Sequence, residues 1–134
     1  MHLTTPRRRI ALLAAASAVT LSAGALTTMT AAAAAAACRV DYRITNQWSG
    51  GFGADVTVTN LGDPVTGWTL AWSYAAGQTV TQAWNASVSN SGSAYTARNV
   101  DYNGRLGAGA STSFGFIGSW QGTNSTPAVT CTAS

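Results

Sequence analysis

The sequence predicts an all-β protein, an antiparallel β-sandwich of the immunoglobulin-like or jelly-roll-like kind closed by one terminal disulfide. Three observations point there. Polar and apolar residues alternate with period 2 over much of residues 38–134, with Thr, Val, Ser and aromatics prominent. Gly, Asn and Pro punctuate the alternation at short intervals, and no segment has helical periodicity. Cys38 and Cys131, the only two cysteines, bracket the stretch. An even pair in an exported chain reads as a disulfide. Lipidation of Cys38 is the rival reading. Ala35 is a poor residue three places before a lipidated cysteine, and Cys131 would then be stranded.

Residues 1–37 of the 134 read as a secretory signal. Arg7-Arg8-Arg9 form the positive region, Ile10 to Leu26 the apolar one, and Ala31–Ala37 supply small-residue cleavage sites. The arginines also allow twin-arginine export. Ser17, Thr20, Ser22, Gly24 and the polar patch from Thr27 to Thr30 leave no run of about 20 apolar residues, which argues against a membrane span. The expectation is a secreted, extracellular protein whose working domain is residues 38–134.

The leader carries the whole formal charge of +3. Residues 38–134 hold Arg39, Arg43, Arg98 and Arg105 against Asp41, Asp55, Asp63 and Asp101, with no Lys, Glu or His. A nucleic-acid partner needs a clustered cationic face, and an anionic membrane surface needs much the same. Neither partner is expected, and a monomer is. Catalysis is disfavoured on similar grounds. Glycoside hydrolysis ordinarily uses two facing carboxylates, whereas these aspartates read as solvated or turn residues. Without histidine there is no Ser/His/Asp triad, His2 leaves with the leader, and zinc lacks ligands. No enzyme activity and no cofactor are expected.

Strands are expected at Arg39–Asn46, Phe52–Leu61, Gly67–Tyr74, Thr79–Trp84, Ser93–Asp101, Ser111–Ile117 and Ala128–Cys131. In the second, Val56 and Val58 alternate with Thr57 and Thr59; in the third, Trp68, Leu70, Trp72 and Tyr74 share one face. Turns are marked by Gly50-Gly51, Gly62-Asp63-Pro64, Ala76-Gly77, Asn90-Ser91-Gly92, Asn103-Gly104 and Gly107–Gly109.

Five tryptophans divide by context. Trp68 and Trp72 keep apolar company and read as core, as do Phe52, Phe114 and Phe116. Trp120, in a Gly-Ser-Trp-Gln-Gly loop, reads as a cap on the core. Trp48 and Trp84 differ. Asn46 lies two residues before Trp48 and Gln82 two before Trp84, so each indole shares a strand face with an amide. A buried amide needs partners, and an exposed strip is the cheaper arrangement. Tyr102 has a similar polar setting beside Asn103-Gly104. Flat rings flanked by amides suit pyranose sugars, whose axial C–H face stacks on a ring while hydroxyls bond the amides.

The residues then resemble carbohydrate-binding module family 2, the bacterial cellulose-binding domains, from Cys38 to Cys131. The resemblance is carried by Asn46-Gln47-Trp48, Gly51-Phe52, Val56-Thr57-Val58-Thr59-Asn60, Gly67-Trp68-Thr69-Leu70, Trp84-Asn85-Ala86, Asn103-Gly104, Gly115-Phe116 and Gly118-Ser119-Trp120. It implies a sandwich whose flat face carries three coplanar aromatics, here Trp48, Trp84 and Tyr102, with Asn46 and Gln82 as polar partners. It also implies a Cys38–Cys131 disulfide. Gly51, where a xylan-binding subgroup has Arg, favours crystalline cellulose, with chitin or xylan as alternatives. Two departures stand out. The third ring is Tyr102 where Trp is usual, and Asp55, Ser113 and Ile117 replace amides. The first weakens stacking, and the second removes hydrogen bonds.

Overall fold

The computed structural model describes residues 38–134, so the leader expected over 1–37 lies outside the described residues. Eight strands build two four-stranded sheets: β1 (Cys38–Trp48), β2 (Gly51–Asn60), β3 (Trp68–Ser73), β4 (Thr79–Trp84), β5 (Ser87–Ser91), β6 (Ala94–Arg98), β7 (Ser111–Ser119) and β8 (Thr130–Ala133). The first sheet runs β1-β2-β7-β4 and the second β5-β6-β3-β8, with antiparallel pairing throughout. Among the described residues there is no helix. The expected all-β sandwich is therefore found.

The strands differ from expectation in several places. β1 continues past Asn46 to Trp48, and β5 was not expected at all. Ser87-Val88-Ser89-Asn90-Ser91 has one apolar residue and no aromatic. Its strand is made by pairing with β6, which supplies the backbone partners that its own side chains do not call for. β6 in turn stops at Arg98, and Asn99–Asp101 belong to a loop.

The core fills the space between the inner faces. From the first sheet come Phe52, Ala54, Val56, Val58, Phe114 and Phe116; from the second, Trp68, Leu70, Trp72, Tyr95 and Ala97. Aromatic rings join the sheets directly. Trp68 stacks on Phe114 at 5.7 Å, and Trp72 lies between Tyr95 at 5.9 Å and Phe116 at 6.2 Å. Such pairs contribute about 0.5–1.5 kcal/mol beyond area burial. The core roles expected of Trp68, Trp72, Phe52, Phe114 and Phe116 are found, and Trp120 packs half-buried against the cluster as a cap.

A second link is polar. Tyr42 Oη in β1 and Tyr74 Oη just after β3 share a hydrogen bond of 2.9 Å. Burial pushes both phenols above the ordinary tyrosine range, and for Tyr42 the shared hydrogen bond adds to the rise. The third link is covalent. Cys38 at the start of β1 is bonded to Cys131 in β8, 93 positions later in the sequence, with Cα atoms 5.8 Å apart. With Cys38 Sγ engaged there, the lipidation reading falls.

Two predictions follow from these links. Reducing the disulfide should lower the unfolding free energy by about 4–5 kcal/mol in the chain-entropy picture, read by urea unfolding with and without reductant; unchanged stability would count against it. The Tyr42 and Tyr74 phenols, raised when folded, favour the folded state fully below the ordinary tyrosine value of 10.0. That contribution is lost as pH rises above it. Their ionisation should therefore appear only together with loss of near-UV ellipticity in strongly alkaline solution.

Candidate functional site

Thr45 in β1 and Thr81 in β4 have no partner in the ladder of the neighbouring strand: the register steps from Ile44 to Asn46 and from Val80 to Gln82. Each is a one-residue bulge in an edge strand. Strict alternation from the half-buried Tyr42 and Ile44 would carry Asn46 and Trp48 inward. Likewise, Val80 would carry Gln82 and Trp84 inward. One extra residue reverses the sense of everything after it, and all four side chains emerge on the outer face of the first sheet.

That face can be read in rows across β1, β2, β7 and β4. One row is Trp48, Gly51, Ser119 and Thr79; the next is Asn46, Gly53, Ile117 and Gln82; the third is Arg43, Asp55, Gly115 and Trp84. The tryptophans thus stand at opposite corners, each in a row that contains glycine. A Cβ on Gly115 would lie 2.6–2.7 Å from three adjacent ring atoms of Trp84. These three atoms form one edge of the indole, so that edge rests on Gly115 and leaves no room for a side chain there. On Gly51 a Cβ would collide with Trp48 Nε1 and lie 2.6 and 2.8 Å from Cε2 and Cζ2. Asn46 covers Gly53 in the same way through its amide oxygen. These three glycines are buried although they belong to the outer face, because the side chains lie down on them.

The rings themselves remain open to solvent. Trp48 and Trp84 are each 44% exposed and Tyr102 is 74% exposed, against at most 5% for the core aromatics Trp68, Trp72, Tyr74 and Tyr95. Gly51 faces Ser119, and Gly115 lies four residues back along β7. Standard strand dimensions then separate the two glycine-seated indoles by about 14 Å. Between them lie the Asn46 amide, Ile117 and Gln82.

Backbone hydrogen bonds hold the two ends of the strip. At one end Trp120 Nε1–H is shared between Trp48 O at 3.0 Å and Gly51 O at 2.9 Å, tying the β1–β2 hairpin to the loop after β7. At the other, Tyr102 lies in the loop after β6, which belongs to the second sheet. Its hydroxyl donates to Asn85 Oδ1, one residue beyond Trp84. Asn103 Nδ2 donates to Asn85 O at 2.6 Å, and Trp68 Nε1 donates to Asn103 O at 2.8 Å.

The five residues singled out in sequence are therefore distributed as follows. Trp48, Asn46, Gln82 and Trp84 share one face, and Tyr102 is tied through its hydroxyl to Asn85, the residue after Trp84. Sequence reasoning missed Gly53, Gly115, Asn85 and the anchoring role of Trp120. A glycine inside an otherwise regular strand, as in Ser113-Phe114-Gly115-Phe116, does signal close approach of another group. Asp55 and Ile117, which replace amides of the resembled family, stand on the same face, and Asp55 faces Arg43 in the row of Trp84. Among the described residues no three His, Cys, Asp or Glu side chains gather as metal ligands.

Comparison with known proteins adds a separate line of evidence. The model of the cellulose binding domain family matches residues 38–133. Endoglucanase A of Thermobispora bispora is 52% identical over 99 residues, which cover 73% of this chain and 22% of the enzyme. The chain thus spans about a fifth of that relative's length. Among solved structures, the chitin-binding domain of Chi18aC from Streptomyces coelicolor is 43% identical with a TM-score of 0.59, covering 71% of this chain and 91% of that domain. The cellulose-binding family 2 carbohydrate-binding domain of ScLPMO10C is 35% identical with a TM-score of 0.60, covering 75% of this chain and 100% of that one.

The seating of the rings is directly testable. In Gly51→Ala and Gly115→Ala the new methyl group should lift the overlying indole and change the near-UV ellipticity of tryptophan. Unfolding free energy should stay within roughly 1 kcal/mol, because the displaced rings are at the surface. An unchanged indole signal in both variants would contradict the seating.

Proposed function

The chain belongs to the cellulose binding domain family over residues 38–133, and from that premise we propose a secreted, non-catalytic module that binds crystalline cellulose through Trp48, Trp84 and Tyr102. The observation that carries the proposal is the pair of half-exposed indoles resting on Gly51 and Gly115 on one sheet face. A β-1,4-glucan presents the apolar faces of successive pyranose rings along an extended chain. A flat indole meets such a face over its whole area. Asn46 and Gln82 stand between the indoles on the same face, which supports a role for their amides in bonding equatorial hydroxyls.

Magnitudes agree with this reading. Stacking of a flat base on an aromatic side chain contributes about 1–3 kcal/mol, and sugar stacking by analogy lies toward the low end. Three contacts, with amide hydrogen bonds, support association near the micromolar range, about −8 kcal/mol. The seated rings and a rigid crystalline ligand both lose little freedom on binding. Balanced charge in residues 38–134 makes the expected adsorption insensitive to salt.

The leader-like features of residues 1–37 support export, leaving residues 38–134 as the working domain. The chain acts alone or as the accessory module of a glycoside hydrolase, the setting suggested by relatives that are whole endoglucanases. Chitin is the second ligand reading. It is favoured by the 43% identity to a chitin-binding domain and by the β-1,4-pyranose backbone that chitin shares with cellulose.

Adsorption isotherms on microcrystalline cellulose, chitin and xylan, run side by side, test the ligand. Cellulose should bind most tightly. Trp48→Ala and Trp84→Ala should each weaken adsorption by about tenfold or more, the loss expected from one stacking contact of more than about 1.4 kcal/mol. Their unfolding curves should remain cooperative. Undiminished adsorption of both variants would sink the platform, and tighter adsorption to chitin would reassign the ligand.

A further inference from the structure

Resting on the platform reading, we infer that Asn85 is a positioning residue: it fixes the Tyr102 ring against the turn that follows Trp84 by accepting a hydrogen bond from the phenol on Oδ1. The third ring of this chain thereby needs its hydroxyl as an anchor, in addition to its flat face.

Tyr102 is the most exposed of the three rings, at 74%. A ring with so little packing is not held by its neighbours' van der Waals contacts. Its hydroxyl, however, donates to Asn85 Oδ1. Asn85 is itself held. Its backbone oxygen accepts from Asn103 Nδ2 at 2.6 Å, and Asn103 is buried. Asn103 is fixed in turn, because its Oδ1 accepts from Val100 N at 2.9 Å and its backbone oxygen accepts from the core indole of Trp68. The Tyr102 loop and the Trp84 turn are thus joined twice, once through each side of Asn85.

The backbone of Asn85 points the same way. It has φ = +65°, the one non-glycine residue with positive φ among the described residues. Asn tolerates this left-handed conformation better than most residues. The conformation reverses the chain directly after Trp84, and the Asn85 side chain in that turn meets the Tyr102 hydroxyl. Glycine would satisfy the turn but could not hold the ring. Asn meets both demands. Holding one otherwise mobile ring in its bound orientation corresponds to about a 2- to 10-fold gain in association.

The test compares Tyr102→Phe, Asn85→Gly, Asn85→Asp and the double variant Tyr102→Phe/Asn85→Gly, with Trp84→Ala as a reference. Tyr102→Phe keeps the ring and removes the donor, and Asn85→Gly keeps the left-handed turn and removes the acceptor. On microcrystalline cellulose each should adsorb about 2- to 10-fold more weakly than wild type. The double variant should lose no more than the weaker single one, because both changes break the same bond. Asn85→Asp restores an acceptor oxygen and should recover adsorption relative to Asn85→Gly.

A ligand-free readout stands beside this. NMR relaxation of the Tyr102 ring should show restricted motion in wild type and averaged motion in Asn85→Gly. Equal ring mobility in the two overturns the inference. So do losses that multiply in the double variant, or a loss in Tyr102→Phe without one in Asn85→Gly. Failure of the platform itself would show differently, as undiminished adsorption by Trp84→Ala, whatever the ring mobility.

Discussion

Two unpaired residues in edge strands decide which way the surface of this protein faces. Thr45 and Thr81 each add one residue to a ladder whose side chains alternate strictly. Before each bulge the strand feeds the core with Tyr42, Ile44 or Val80, and after it the strand displays Trp48 or Trp84. A single strand thus serves both the interior and the outer face without any change of secondary structure. Edge strands are where such insertions cost least, since only one neighbour's register has to adapt. The same bulges also disturb the open edges of β1 and β4, which otherwise would present unbroken rows of backbone donors and acceptors.

Displaying large rings solves half of the problem. An indole free to swing on the surface would have to be immobilised by each ligand it met. Glycine in the facing strand removes that cost beforehand. Gly51 and Gly115 leave shallow seats into which Trp48 and Trp84 settle, each ring partly shielded from water on its underside and open above. The seats also limit where each ring can go, because an edge of each indole rests on the same sheet face. Such a face offers preorganised apolar area rather than charge. The balanced arginines and aspartates fit that division.

Much of the fold was legible because the core obeys period 2. Trp68, Leu70 and Trp72 alternate with the small residues Thr69, Ala71 and Ser73 in one strand, and Phe114 and Phe116 flank Gly115 in another, so their burial could be read directly. The exposure of Trp48 and Trp84 could not be read from alternation. Counting by twos from Ile44 or Val80 gives the wrong face, and the amides Asn46 and Gln82 gave the right one through the cost of burying them. β5 escaped because a serine-rich segment owes its strand to its partner β6. The glycine seats and the Asn85–Tyr102 bond join residues 3, 31 and 17 positions apart in sequence. Local pattern holds no record of contacts between different strands and loops, so these needed the fold.

The five tryptophans, alike in sequence as large apolar residues, do three kinds of work. Trp72 is a packing residue, stacked between Tyr95 and Phe116, and its buried Nε1 has no partner in hydrogen-bond geometry. Trp48 and Trp84 are displayed. Trp68 and Trp120 connect these two populations. Each packs against the core with its ring and uses its N–H on a backbone carbonyl at the end of the strip: Trp68 on Asn103, next to Tyr102, and Trp120 on Trp48 and Gly51. A buried indole N–H must find an acceptor or cost about 1–3 kcal/mol, so the stability of the core and the position of the surface rings share the same hydrogen bonds. Loosening the Tyr102 end of the strip therefore strands the buried Trp68 donor, and loosening the other end frees the half-buried Trp120. In this way the core resists rearrangement of the face, although the displayed rings lie outside it.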